Sequence, residues 1–295
     1  MSPAGVDSSL PGDVDWAQAP KGPILVLGGG GFIGANLVKR LLRSRADVVA
    51  VVRRLPAWRL ADVDNRHLVE VDLISVPEMR QMVEAIRPRT VFDLTAYGAY
   101  SFETDRDLTY QTNFNSLVAL VDLLDKGTIA AFVHAGSSSE YGNNAAAPAE
   151  TAVLLPNSHY AVSKAAAAHY ISYAGRSLGF PIVNLRLYSV YGPLEDASRL
   201  IPNLVRRGLE RQYPPFVGPD TARDFVYVDD VCEAFLVAAT RLTPELYGES
   251  FNIGTGLQTT IRDLAKTAQA VFGIDGPADF GAMPGRDWDL NAWYA

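Results

Sequence analysis

Residues Pro23 to Gly34 read P-I-L-V-L-G-G-G-G-F-I-G, and this stretch decides the fold. Ile24 to Leu27 is a short continuous apolar run, the pattern of a strand buried on both faces of a parallel sheet. Gly28, Gly29, Gly30 and Gly31 follow at once, and then a helical pattern runs through Leu42. Gly29, Gly31 and Gly34 satisfy G-x-G-x-x-G, while Gly28, Gly31 and Gly34 satisfy the more open G-x-x-G-x-x-G. The first glycines allow a tight turn, the next lets the backbone approach a pyrophosphate, and Gly34 lets the helix lie close on its strand. The pyrophosphate then rests at the positive helix N-terminus, beside Gly31, Phe32 and Ile33. A strand before and a helix after are the context that separates a dinucleotide site from a flexible glycine turn.

Outward from this unit, Val48 to Val52 reads as a second strand ending on Arg53 and Arg54. An acidic residue at that strand end binds the adenosine ribose 2′-hydroxyl, whereas arginine suits a 2′-phosphate. Arg53 therefore points to NADP; NAD is the alternative, with the arginine pair merely solvated. Leu68 to Val71 reads as a third strand that ends on Asp72 and Leu73, placed to reach the adenine. Helix Val76 to Ile86, strand Val91 to Leu94, a helical region from Asp105 to Leu124 and strand Ala130 to His134 continue the alternation. Strand and helix in strict turn imply an α/β fold with a doubly wound parallel sheet.

Composition bounds the function. At 295 residues with 48% hydrophobic content, the chain buries a sizeable core. A net charge of -7 without clustered cations argues against nucleic acid and polybasic membrane surfaces. The single cysteine, Cys232, lies in an apolar helical run, excludes an intrachain disulfide framework and suits a reducing, cytoplasmic compartment. No stretch approaches the ~18 to 20 apolar residues of a membrane span. Met1 to Gly22 has neither periodicity nor the shape of a signal peptide and is expected to be a disordered leader. His67, His134, His159 and His169 show no metal-ligand spacing, so no metal is expected.

The strand at Ala130 to His134 runs into Gly136-Ser137-Ser138-Ser139-Glu140-Tyr141-Gly142, a serine cluster where open α/β sheets bind ligands. The alternative is an ordinary serine-rich turn. Further on, Tyr160 and Lys164 stand at i and i+4 in Y-A-V-S-K, ahead of an alanine-rich helical run, and so share one helix face. A free tyrosine titrates near ~10, and a neighbouring ammonium lowers that value, which lets the phenol exchange a proton with a sugar hydroxyl or ketone. A nearby serine hydroxyl can hold the same oxygen while a nicotinamide exchanges hydride with the carbon.

The glycine turn, the serine turn, Y-A-V-S-K, R-L-Y-S-V-Y-G-P at Arg186 to Pro193 and R-D-F-V-Y-V-D-D at Arg223 to Asp230 together resemble the extended short-chain dehydrogenase/reductases that modify nucleotide sugars. The likeness runs from Ile24 to about Tyr294, with the motifs in the family's order. It implies a catalytic set of Ser137, Tyr160 and Lys164, with Ser138 replacing Ser137 if a one-residue gap is allowed. It places Asn113 on a helix behind the site, where plain helix packing is the alternative. Arg223 and Arg286 match the family's positions for the substrate diphosphate, which arginine can grip in a bidentate way. Ser138, Ser139 and Ser189 are the further substrate contacts. The resemblance implies a Rossmann domain over 23–187, with 224–243 returning to it, and a smaller α/β substrate lobe over 188–295. It also implies a homodimer formed through the helices at Asp105 to Leu124 and Tyr160 to Ser177.

Three departures limit the likeness. Where the 4,6-dehydratases carry Asp-Glu after the triad hydroxyl, this chain has Ser138 and Ser139, and Glu140 can substitute only in a shorter turn. Ser189 stands where the family has asparagine. The chain ends at Ala295 inside a segment that the family continues, so a shortened chain or a missing tail is expected. The leading expectation is an NADP-dependent reductase of a 4-keto nucleotide sugar. A C4 epimerase is the close alternative, a 4,6-dehydratase a weaker one, and a non-catalytic NADP sensor the weakest.

Overall fold

The computed structural model describes residues 15–100, 102–283 and 292–295. In chain order the large lobe begins β1 (Ile24–Leu27), α1 (Phe32–Leu42), β2 (Val48–Val52), β3 (Leu68–Glu70), α2 (Val76–Ile86) and β4 (Thr90–Asp93). It continues through α3 (Arg106–Tyr110), α4 (Ser116–Leu123), β5 (Ala131–Ser137), α5 (His159–Leu178) and β6 (Ile182–Leu187). Then come β7 (Ser189–Tyr191), α6 (Leu200–Leu209), β8 (Ala222–Arg223), β9 (Phe225–Tyr227), α7 (Val228–Arg241), β10 (Ser250–Ile253), β11 (Thr259–Thr260) and α8 (Ile261–Phe272).

The main sheet has seven strands in the order β10-β6-β5-β4-β1-β2-β3, all parallel. The strand order reverses between β1 and β4, so the crevice at the carboxyl ends of these two strands is the expected ligand position. The period-2 alternation of β1 explains why the whole run is apolar. Ile24 and Val26 join a core with α1 and α7, while Leu25 and Leu27 join the opposite core with α2, α4 and α5. Cys232 is fully buried in the first of these cores.

The segment 188–295 divides. Helix α7 packs on α1 and β5, and β10 pairs with β6 at the edge of the main sheet. Helices α6 and α8 instead build a separate small core around Leu204, Phe216, Ile261 and Ala265. The expected leader is described from residue 15: Ala17 is buried, and Arg241 lies over the Trp16 ring. Arg45 supplies much of the reason, donating to the carbonyl oxygens of Ala17, Gln18 and Pro20, and Thr90 Oγ1 donates to Lys21 O at 2.7 Å, so that a segment without helical or strand pattern is held by side chains from elsewhere in the chain. No helix among the described residues is long and apolar enough to cross a membrane.

Candidate active site

The glycine turn closes tightly at the end of β1. Gly28 has φ +68°, and a Cβ on Gly34 would lie 2.2 Å from the Gly28 carbonyl oxygen. Gly31 donates to Gly28 O at 2.9 Å and starts α1, whose first turn has no side-chain cap and no acidic residue. The amides of Phe32 and Ile33 thus sit at an unneutralised helix N-terminus that suits an anion. Asn36 Nδ2 donates to Pro193 O at 2.9 Å, and Arg59 donates to Leu194 O at 2.8 Å and to Gly30 O at 3.3 Å. These bonds tie the loop after β7 across the crevice to the glycine turn. Arg53 and Arg54 stand exposed just past β2, without an ion pair among the described residues. Asp72 is exposed, its Oδ1 accepting from Ile74 N at 3.0 Å, and Leu73 lines a small cavity with Leu27 and Thr95.

Strand β5 runs three residues beyond the expected His134 and ends at Ser137. There the chain turns through a reciprocal cap: Ser139 N donates to Ser137 Oγ at 3.1 Å, and Ser137 N donates to Glu140 Oε1 at 2.9 Å. Glu140 is fully buried beneath the turn, where Arg186 Nε donates to its Oε2 at 2.6 Å. Arg186 Nη1 also donates to Tyr141 Oη at 2.7 Å and Glu150 O at 2.8 Å, and Tyr141 donates to Asn252 Oδ1 at 2.8 Å. Gly136 is required here, because a Cβ would lie 2.3 Å from Asn184 Oδ1 and 2.5 Å from Glu140 Oε1. Glu140 is therefore committed to holding the turn from below.

Helix α5 begins at Ser158, whose Oγ accepts from Ala161 N at 3.1 Å, and carries Tyr160 and Lys164 on its first two turns. The half-buried Tyr160 phenol lies within the influence of the Ser137 hydroxyl, so these two residues converge. Burial pushes the Tyr160 pKa up to about 12, although Ser137 acts in the opposite direction. The sequence chemistry expects Lys164 to lower this phenol. In the free protein desolvation dominates the shift instead, and the phenol is protonated at neutral pH. Lys164 is itself only 1% exposed, and its Nζ donates to Ala135 O at 2.9 Å and Thr95 O at 3.3 Å. Burial lowers its pKa, against the opposing pull of Asp93 and Glu140. An ammonium has three N–H donors, so one remains for a ribose hydroxyl.

Asn113 lies on a π-helical turn, Gln111–Asn115, between α3 and α4. Its Oδ1 accepts from Tyr97 N and its Nδ2 donates to Tyr97 O, both at 2.8 Å, while Nδ2 also reaches Ser163 Oγ at 2.9 Å. A single amide thus fixes the loop after β4 to the helix that carries Tyr160. Across the cleft, Ser138 Oγ accepts from Trp293 Nε1 at 2.8 Å, and Arg223 lies over the Trp293 ring at 5.1 Å. Ser189 donates its N–H to Asp224 O at 2.9 Å, and Ser139 is half-buried on the turn. Arg286 lies outside the described residues. The sequence reading missed Trp293, Arg186 and the buried Asp93–His134 pair; a tryptophan in a polar tail was the one local signal among them.

The model of the NAD dependent epimerase/dehydratase family matches residues 24–254. The chain belongs to that family. Members similar to it include the trifunctional UDP-glucose 4,6-dehydratase/UDP-4-keto-6-deoxy-D-glucose 3,5-epimerase/UDP-4-keto-L-rhamnose-reductase of Arabidopsis thaliana, 27% identical over 92% of this chain. The chain spans 42% of that relative's length. Among solved structures of the family, the UDP-glucose 4-epimerase of Thermotoga maritima with UDP-glucose superposes at TM-score 0.80, with 27% identity, 92% of this chain and 88% of the other. The dTDP-glucose 4,6-dehydratase of Bacillus anthracis in complex with NAD does so at TM-score 0.76, with 25% identity, 92% and 87%. The family is NAD dependent, and the glycine turn and bare α1 N-terminus of this chain fit the pyrophosphate of such a cofactor.

Proposed function

We propose that this protein reduces a 4-keto nucleoside-diphosphate sugar, with Ser137, Tyr160 and Lys164 as its catalytic set. The observation that carries the reading is the placement of Ser137, at the carboxyl end of β5, beside Tyr160 on the first turn of α5 with Lys164 one turn on, a set able to give a proton to a carbonyl oxygen. Gly28, Gly31, Phe32, Ile33 and Gly34 would hold the pyrophosphate, Asp72 and Leu73 the adenosine end, and Arg53 a 2′-phosphate, which makes NADP the proposed cofactor and NAD the alternative. When bound, that cofactor supplies hydride to the sugar carbonyl carbon. Tyr160 gives its proton to the carbonyl oxygen as that oxygen gains electrons. The Ser137 hydroxyl donates a hydrogen bond to the same oxygen and orients it. Lys164 uses its remaining N–H on a ribose hydroxyl, and its charge stabilises the phenolate left behind. Ser138, Ser139, Ser189 and Arg223, with Arg286, would hold the sugar and its diphosphate.

A C4 epimerase is the second reading. The bonds from Asn36 and Arg59 to the 193–194 loop favour it, because a loop tied across the cofactor crevice slows exchange of the cofactor, and an epimerase needs none. The commitment of Glu140 to Arg186 argues against a 4,6-dehydratase, as do Ser138 and Ser139 in place of an acidic pair. A homodimer through α4 and α5 is also proposed; α5 leaves Val162 and Tyr173 exposed. Light scattering at two concentrations tests it. For the activity, the purified protein is incubated with NADPH and a panel of nucleotide sugars and their 4-keto forms. Stoichiometric loss of reduced-nicotinamide absorbance with a 4-keto sugar supports the reductase. Interconversion of sugars with no net absorbance change supports the epimerase, and no reaction with any member of the panel refutes both.

A further inference from the structure

Beneath Lys164 lies an acid–histidine pair to which the catalytic reading assigns no task. Asp93 ends β4 and His134 stands beside it on β5, in register. His134 Nδ1 and Asp93 Oδ2 are 2.8 Å apart. An ionised carboxylate only accepts, so Nδ1 carries the proton. Asp93 Oδ1 accepts from Thr95 Oγ1 at 2.5 Å and from Thr95 N at 3.1 Å. The carbonyl of the same Thr95 accepts from Lys164 Nζ at 3.3 Å. Asp93 is 2% exposed, and His134 and Lys164 are 1% exposed each.

A buried ammonium loses its proton unless a negative charge balances it. The titratable groups that interact with Lys164 are Asp93 from β4, His134 from β5 and Glu140 from the serine turn. Of the two carboxylates, Glu140 is already paired with Arg186 at 2.6 Å. Asp93 is paired only with a histidine. Burial and the charge of Lys164 both hold that histidine below its ordinary value, and its Nε2 has no partner among the described residues. A neutral imidazole orients the carboxylate without consuming its charge.

We propose that Asp93, oriented by His134 and Thr95, is the counter-charge that keeps Lys164 cationic and aimed at the cofactor ribose. Asp93 is in this account a positioning residue; it touches Lys164 through Thr95 and the field, not the substrate. The inference rests on the reading of Lys164 as the ribose-binding lysine.

The test uses the full chain and a readout independent of turnover: the dissociation constant for NADPH, from nicotinamide fluorescence, between pH 6 and 10. Wild type loses affinity on the alkaline side as Lys164 deprotonates. Asp93→Asn moves that limb to lower pH by roughly one unit or more, so that binding is about tenfold weaker across the interval between the two limbs. A limb at the wild-type pH overturns the inference. Lys164→Met separates the two layers: if it keeps the wild-type limb, the reading of Lys164 fails, and if it abolishes the limb while Asp93→Asn leaves it in place, the counter-charge alone fails. Should Asp93→Asn not fold, nitrogen NMR of the histidine rings in wild type decides: His134 stays neutral with its proton on Nδ1 from pH 6 to 9, and a His134 that charges in that range overturns the inference.

Discussion

Replacing Arg186 by Met tests how the serine turn is held. The Arg186 side chain is 6% exposed and makes hydrogen bonds of 2.6, 2.7 and 2.8 Å to Glu140, Tyr141 and Glu150. Methionine fills much of the volume but leaves the Glu140 carboxylate, whose side chain has no exposed surface, with the Ser137 N–H at 2.9 Å, two long 3.3 Å bonds from Asn184 and no counter-charge in contact. Breaking one side of a buried ion pair costs about 3 to 5 kcal/mol, roughly a fifth or more of the stability of an ordinary domain. With a urea dependence of about 3 kcal/mol per molar, the unfolding midpoint falls by roughly 1 to 2 M. The paired change Glu140→Gln with Arg186→Met removes the orphaned charge and recovers most of that loss. Because Glu140 also accepts from Ser137 N, the single variant loses activity under conditions where it is still folded. A single-variant loss below about 1 kcal/mol, or a double variant no better than the single one, refutes the reasoning.

Gly34→Ala drives a methyl into the Gly28 carbonyl oxygen, 2.2 Å away, and is expected to weaken cofactor binding at least tenfold and to cost about 1 to 3 kcal/mol; fluorescence titration and urea unfolding check both. Glu195 is pushed up to about 7 by burial, so its contribution to stability is full below the unfolded value of 4.5 and is lost as pH rises through 7. Glu195→Gln should flatten that pH dependence by about 3 kcal/mol in unfolding experiments from pH 4 to 8. In an ultraviolet difference titration of the free protein against Tyr160→Phe, the phenolate of Tyr160 should be absent at neutral pH and appear only towards about 12. Trp293→Phe removes the donor to Ser138 Oγ and should raise KM for the nucleotide sugar severalfold while cofactor affinity is unchanged, as steady-state kinetics would read.

The parts of the fold that were legible are those written in contiguous residues. Strand β1, the glycine turn and α1 follow one another without a break, and β2 and α2 carry clean boundaries, so Val48–Val52 and Val76–Ile86 are recovered residue for residue. Strand β5 was read short because Ala135, Gly136 and Ser137 have no strand preference of their own; pairing with Leu185, Arg186 and Leu187 on β6 holds them extended. The π turn at Gln111–Asn115 hides inside an unbroken helical pattern, and only the grip of Asn113 on Tyr97 reveals its use. The leader from Asp15 to Gly22 has no pattern at all, since its order comes from Arg45, Thr90 and Arg241 further along the chain.

The site divides in the same way. Tyr160 and Lys164 stand four residues apart, and their shared helix face can be read directly. The supports of Ser137 cannot, because Glu140 meets Arg186 46 positions away and Tyr141 meets Asn252 111 positions away. Trp293 reaches Ser138 over 155 positions. The direction of the Tyr160 shift was also beyond the sequence: the spacing from Lys164 is local, but the desolvation that dominates the shift depends on how the folded chain covers the ring.

The most direct test of the account compares wild type and Tyr160→Phe in one cuvette experiment, with NADPH bound and a 4-keto nucleotide sugar added, following reduced-nicotinamide absorbance alongside the cofactor dissociation constant. The account predicts that wild type consumes the reduced cofactor, while Tyr160→Phe binds it equally well and leaves it unoxidised. A Tyr160→Phe protein that still oxidises NADPH at the wild-type rate contradicts it.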